Sequence, residues 1–236
     1  VNASEFIFAL LELMLINIVL SGDNAVVIAL ACRALPAHQQ KKAIFWGSFG
    51  AIGLRVILTF VAVWFLKIPF IQILGGLLLI YIAINLLKKD DEDEKIKTSS
   101  RISEAIRTII IADFVMSLDN VLAVAGAADG NLLLIMLGLA VSIPLIIWGS
   151  QLLMRLMNRF PIIVLLGAAL LGYTSGEMIV GDKAAHDWIE ENFSSLHLIL
   201  PIGLAVIIAL IGIRTMKKKP TEESVKDKDD RMRSIG

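Results

Sequence analysis

Thiol chemistry is nearly missing from this chain. Cys32 is the one cysteine among 236 residues, so an internal disulfide is excluded. Its place at a helix end suits a small packing residue, with a reactive thiol as the alternative. Histidine is scarce too: His38 and His186 fall in loops and His197 at the edge of an apolar run. These read as solvent or interface residues, so a soft-metal centre of thiolate and imidazole has few ligands to draw on. Nor does either sign of charge dominate. Twenty-two Lys and Arg balance twenty-two Asp and Glu, which leaves no case for a nucleic-acid partner. Val1 to Glu5 carries no Lys or Arg ahead of the first apolar run, unlike the positive start of a secretory signal. That run is therefore expected to be a retained span.

What the chain has is apolar length. Hydrophobic residues make up 57% and charged residues 19%, against about 45–50% and about 25% in soluble domains. The apolar residues gather in seven runs, each long enough to cross a bilayer core of about 30 Å. They cover about Glu5–Ala31, Ala43–Leu66, Ile68–Leu87, Glu104–Gly126, Leu132–Leu153, Pro161–Val180 and His197–Met216. Lipid cannot satisfy free backbone groups, so the runs should be helices, and they lack the alternation of barrel strands. The expected fold is an all-α polytopic membrane protein with seven transmembrane helices in the lipid bilayer. The acidic cluster Asp90–Glu94 reads as a solvated linker or a weak cation antenna. The polar tail from Lys217 to Gly236 should be disordered. Eighteen Lys and Arg fall on one side of this arrangement and two on the other. The positive-inside rule then places the N-terminus outside and the C-terminus in the cytoplasm.

Within these runs one motif occurs twice, 96 residues apart: Ser21-Gly22-Asp23-Asn24 and Ser117-Leu118-Asp119-Asn120. Val19/Val115 and Ala29/Ala125 also match, and Asn17 stands where Asp113 does. Further on, an offset of 91 aligns Gly47 with Gly138 and Gly76 with Gly167. The chain therefore divides into a three-helix unit (1–87), a charged cytoplasmic loop (88–103), a second three-helix unit (104–180), an outer loop with a seventh helix (181–216) and the tail (217–236). Three is odd, so the second unit enters from the opposite side. This is a 3+3 inverted-topology repeat plus one extra helix, whose binding site should lie near the midplane.

A charge at membrane depth costs several kcal/mol, about 3 on insertion scales, so it pairs, faces a cavity or marks an ion path. Asp23, Asn24, Asp119 and Asn120 supply hard oxygen donors suited to Mg²⁺, Ca²⁺ or Mn²⁺. Ser21 and Ser117 can add neutral oxygens, and unwinding near either motif would free carbonyls. Two carboxylates without a cation should share a proton, which would permit proton-for-metal exchange. Asn17 and Asp113 each lie seven residues, two helical turns, before a motif Asn and so on its face. Glu12, Arg55 and Glu177 are the remaining polar residues at depth. Glu12 can snorkel to the outer surface, and Glu177 follows Gly172 and Gly176, where backbones can approach. Arg55 needs a counter-charge, for which Asp23 and Glu177 are the candidates. Each of these residues, singly, could also be a helix-packing hydrogen bonder.

The segments S-G-D-N-A-V, S-L-D-N-V-L and G-E-M-I-V-G-D resemble the TerC family of integral membrane proteins, over about Glu5 to Met216. The resemblance implies a fold like that of inverted-repeat cation exporters, and manganese efflux with supply of metal to exported enzymes. It implies that Asp23 and Asp119 are metal residues, with Asn24 and Asn120 beside them. Leu118 stands where the first motif has Gly22, so the two halves need not unwind alike. The family is named for tellurite resistance, but no soft ligand is placed for tellurium here.

The expected function is thus Mn²⁺ export across the cytoplasmic membrane by alternating access, with Asp113 and Glu177 added to the metal set. No enzyme activity and no separate cofactor are expected; the cation is cargo. The alternatives are a membrane partner that metallates or assembles exported proteins, and an intramembrane aspartyl hydrolase, which would need neither the Asn residues nor a metal. An amino-acid exporter would not obviously need both acids. A homo-oligomer and contact with exported metalloenzymes or the secretion machinery stay open.

Overall fold

The computed structural model describes residues 7–8, 10–12, 14–16, 22–65, 68–88, 98–127, 132–193 and 195–217. Asn17, Ser21, residues 89–97 of the charged loop, the tail beyond 217 and the side chain of Asp119 lie outside the described residues. Among the described residues, 7–8, 10–12 and 14–16 are helical, and eight helices with defined bounds follow: α1 (Gly22–Cys32), α2 (Ala37–Phe65), α3 (Ile71–Lys88), α4 (Thr98–Ala127), α5 (Leu132–Arg159), α6 (Pro161–Gly181), α7 (Lys183–Phe193) and α8 (Leu196–Lys217). No strand occurs among the described residues.

Among the described residues five stretches are long and apolar enough to cross a membrane: Ala37–Val61, Ile71–Lys88, Met136–Arg159, Pro161–Gly181 and Leu196–Met216. α1 is apolar but only 11 residues long over its described part. α4 has 30 residues, but Arg101, Glu104, Arg107, Asp113 and Asp119 interrupt its apolar character. The chain is therefore a multi-pass integral membrane protein. Its outer face agrees: Leu198, Ile202, Val206 and Leu210, four residues apart along α8, are all exposed. A stripe like this would be a liability in water, whereas lipid solvates it.

Several boundaries differ from the sequence expectation: α2 begins at Ala37, ahead of the expected Ala43, and α5 runs on to Arg159, past the expected Leu153. α4 begins at Thr98, six residues before the expected Glu104, so it takes up the end of the charged loop. The expected polar loop 181–196 contains α7. This helix is polar in composition, but Trp188 and Phe193 are exposed and lie 5.7 Å apart between ring centres. Such a helix suits the plane of the membrane interface.

α1 is the most enclosed element: every residue from Asn24 to Cys32 is buried, the Cys32 thiol included. It packs against α5, α4 and α6. Around it α2 lies along α4, and α6 along α3 and α8. Small residues set these approaches, as they do where lipid removes the hydrophobic drive for helix association. A Cβ on Gly76 would come within 2.7 Å of the Ser175 carbonyl, and one on Gly47 within 2.6 Å of Ile109 Cδ1. The aligned glycines Gly76 and Gly167 do not make equivalent contacts. Gly76 meets α6, whereas Gly167 meets Val26 of α1 and Met157 of α5.

The contacts also fix directions. Gly47 and Gly50 of α2 meet Ile109 and Ile110 of α4 in ascending order, so these helices run parallel. Gly172 and Gly176 of α6 meet Leu204 and Pro201 of α8 in descending order, so these run antiparallel. The Arg33 guanidinium, just past the end of α1, donates to the Leu86 carbonyl near the end of α3 (3.1 Å), placing both ends on one side.

A buried polar centre as candidate functional site

The close approach of α2 and α4 carries Arg55 to Asp113. Arg55 Nη2 lies 2.6 Å from Asp113 Oδ1, and Arg55 Nε donates to Ser117 Oγ at 2.9 Å. Ser117 Oγ in turn donates to Asp113 Oδ2 at 3.2 Å, across one turn of α4. The three side chains form a closed triangle. Arg55 is 4% exposed, Asp113 8% and Ser117 fully buried. The sequence offered Asp23 or Glu177 as the counter-charge of Arg55; the salt bridge is instead with Asp113. The parallel register of α2 and α4 decides this, because it brings residue 55 level with 113 and 117.

α1 brings the second part. Asp23 is half-buried, and its Oδ1 accepts the Asn24 backbone N–H at 2.8 Å. Asp23 lies near enough to Arg55 and Asp113 to interact electrostatically with both. Asn24 beside it is 3% exposed, yet its side-chain oxygen and nitrogen both have no hydrogen-bond partner. A buried amide without a partner costs about 1–3 kcal/mol by mutational scales, so this side chain is held where a ligand could meet it. Asn120, two turns after Asp113 on α4, is half-buried.

Asp23, Asn24, Arg55, Asp113 and Ser117 thus gather where α1, α2 and α4 meet. Glu177 stands apart: it is exposed on α6 and hydrogen-bonds Tyr173 one turn earlier. The motifs also differ at their second residue. Leu118 is buried against Leu58, while a Cβ on Gly22 would meet nothing within 4 Å. Among the described residues no three His, Cys, Asp or Glu side chains converge as a resident metal site would require. A transported ion asks for less, since a site that releases its cargo must not hold it too well.

A further polar device lies in the G-E-M-I-V-G-D segment, at a residue to which the sequence alone assigns no role. Asp182, 1% exposed, ties the start of α3 to the end of α6. Its carboxylate accepts the N–H groups of Phe70 (3.2 Å), Gln72 (3.0 Å) and Ile73 (3.4 Å), and that of Ala184 in α7 (2.9 Å). One side chain therefore caps two helices. It also holds Phe70 at φ 65°, a left-handed conformation that costs a residue with a Cβ about 1–2 kcal/mol. Asp182→Ala should lower the stability of the detergent-solubilised protein by about 1–3 kcal/mol, through several orphaned N–H groups. Thermal unfolding would measure this, and an unchanged midpoint would remove the capping role.

A helical multi-pass chain with a salt bridge and an unpartnered amide buried at a helix crossing defines a membrane protein compatible with a transporter role. The particular family follows from comparison. Residues 2–221 match the Integral membrane protein TerC family, and the chain belongs to it. It is 43% identical over 209 residues to the uncharacterized membrane protein YjbE of Bacillus subtilis, covering 89% of this chain and 95% of that protein. It is 24% identical over 233 residues to the uncharacterized membrane protein YkoY of the same organism, covering 88% and 72%. It is 27% identical over 187 residues to the UPF0053 inner membrane protein YgdQ of Escherichia coli K12, covering 70% and 78%. No solved structure matches.

Proposed function

We propose that this protein exports a hard divalent cation, with Mn²⁺ the leading substrate, across the cell membrane by alternating access. The observation that carries the reading is Asn24: a buried, unpartnered amide next to a carboxylate, Asp23, that interacts with Arg55 and Asp113. Its oxygen, with carboxylate oxygens from Asp23 and Asp113, makes a hard donor set drawn from two helices. Asp119 and Asn120 of the second motif would complete the set. The preference for Mn²⁺ and the outward direction follow the family resemblance.

Alternating access needs two units that can rock against each other. In this reading seven spans form, α1–α3 and α4–α6 are inverted copies, and α8 is the added helix. Two features support it. α2 runs parallel to α4 and α6 antiparallel to α3, as inversion requires. Contacts also cross between units in matching pairs, α1 with α5 and α2 with α4, then α1 with α6 and α3 with α4. The excess of Lys and Arg puts the α1 and α3 C-terminal ends at the cytoplasm.

The test is Mn²⁺ uptake into inside-out vesicles holding the purified protein, with Mg²⁺, Ca²⁺ and Zn²⁺ as competitors and an imposed pH gradient. Uptake is expected above empty vesicles, with competition by hard cations. Asp23→Asn keeps the shape and removes one charge, so it should bring uptake down to background in protein that remains folded and inserted. Full uptake by this variant would sink the reading.

A further inference from the structure

We infer that Arg55 is a tethered counter-cation: between transport events its guanidinium occupies the charge position of the cargo on Asp113, and loading exchanges one for the other. This rests on the function proposed above and names how that site is kept neutral when empty.

Asp113 Oδ1 is already taken by Arg55 at 2.6 Å. A divalent ion arriving on the same carboxylate puts two cations close together in an enclosed site, where their repulsion is far stronger than in water. Arginine stays protonated under all working conditions, so Arg55 cannot relieve the repulsion by losing its charge. Withdrawal of the guanidinium from Oδ1 relieves it and leaves that oxygen to the ion.

Packing does not require the pair. Gly47 and Gly50 against Ile109 and Ile110 hold α2 to α4 on one side of it, and Leu58 against Leu118 does so on the other. A buried ion pair is often matched or bettered in stability by apolar residues of similar volume. A charge kept at membrane depth where packing does not need it points to use.

Ser117 accepts from Arg55 Nε and donates to Asp113 Oδ2. When the guanidinium withdraws, Ser117 still holds Oδ2 and keeps the carboxylate oriented. Oδ1 is the oxygen set free, on a carboxylate that already interacts electrostatically with Asp23 of α1. Arg55 rides on α2 and Asp113 on α4, so the exchange couples charge to the relative position of two helices from different units.

The experiment measures Mn²⁺ affinity and vesicle transport for the wild type and Arg55→Gln, which keeps hydrogen-bonding ability but not charge. Removing a competing cation from the same carboxylate should tighten Mn²⁺ binding about tenfold or more. Turnover should fall at the same time, because nothing replaces the departing ion, so KM and kcat drop together. Arg55→Gln that binds Mn²⁺ equally or more weakly overturns the inference, leaving Arg55 a brace. A wild type that binds no cation defeats the proposed function itself, a separate result. Should Arg55→Gln not fold, the wild type decides through peptide-resolved phenylglyoxal labelling of Arg55. Labelling that rises with Mn²⁺ supports the exchange, and labelling indifferent to Mn²⁺ overturns it.

Discussion

Gly176→Leu is expected to leave no folded protein in the membrane. A Cβ at this position would lie 2.4 Å from Pro201 Cα and 2.7 Å from Pro201 N. Those are backbone atoms of α8, so no rotamer change relieves the overlap and the whole helix must retreat. Four residues earlier, a Cβ on Gly172 would stand 2.9 Å from the Leu204 carbonyl oxygen. Together they form a small-residue seam of the kind that lets membrane helices touch backbone to backbone. Van der Waals packing does much to join helices in lipid, and a gap of about 0.5–1 Å forfeits about a quarter to a half of it. Overpacking typically costs about 1–3 kcal/mol, and a leucine against the Leu200–Pro201 backbone belongs at or above the top of that range. α6 cannot tilt away freely either, because its other side meets Gly76 of α3 through the Ser175 carbonyl. Size-exclusion chromatography in detergent should show aggregate in place of a single folded species. Gly176→Ala should fail in the same direction but less completely. Gly53→Ala is the control: a Cβ there meets nothing within 4 Å, so stability should hold.

That seam shows what one sequence can and cannot disclose. The apolar runs were legible because lipid imposes a length and forbids open backbone. The helix within the expected loop 181–196 was not legible, because its polar composition disguised the apolar residues Trp188 and Phe193. The polar residues at depth could be found by the cost of putting them there, and Asp23, Asn24, Arg55, Asp113 and Ser117 were all named. Who pairs with whom was another matter. Arg55 and Asp113 are 58 residues apart, and nothing in the linear pattern tells which helix faces lie opposite. Register is a property of two helices, so the sequence of either alone underdetermines it. Glu177 looked equivalent on depth and glycine neighbours, yet its face of α6 turns outward. Asp182 was half legible. An Asp just ahead of a helix signals an N-cap for α7. Its hold on Phe70, 112 residues away, depends on the antiparallel meeting of α3 and α6.

The pairing of Arg55 with Asp113 leads to a prediction about stability that stands apart from transport. Asp113→Leu takes the salt-bridge partner from a permanent charge in an enclosed position, and Arg55 has no way to become neutral there. Breaking one side of a buried pair costs about 3–5 kcal/mol, a large share of the stability of most domains. The double change Arg55→Met with Asp113→Leu removes both charges and keeps the volume filled, so it should regain most of that loss. Ser117 does not stand in the way. Ser142 and Ser175 each donate to the carbonyl four residues back, Gly138 at 2.8 Å and Leu171 at 2.6 Å. Ser117 can turn to the Asp113 backbone carbonyl in the same manner once both partners are gone. The cycle is read by thermal unfolding in detergent across wild type, both single variants and the double. A double variant that folds as well as the wild type, but moves no cation, would separate holding α2 to α4 from the purpose of the charges. A double variant as unstable as Asp113→Leu alone would mean that the pair braces the helices after all. In that event the packing argument for Arg55 as an exchangeable counter-cation falls with it, and only the labelling and affinity measurements could still uphold that role.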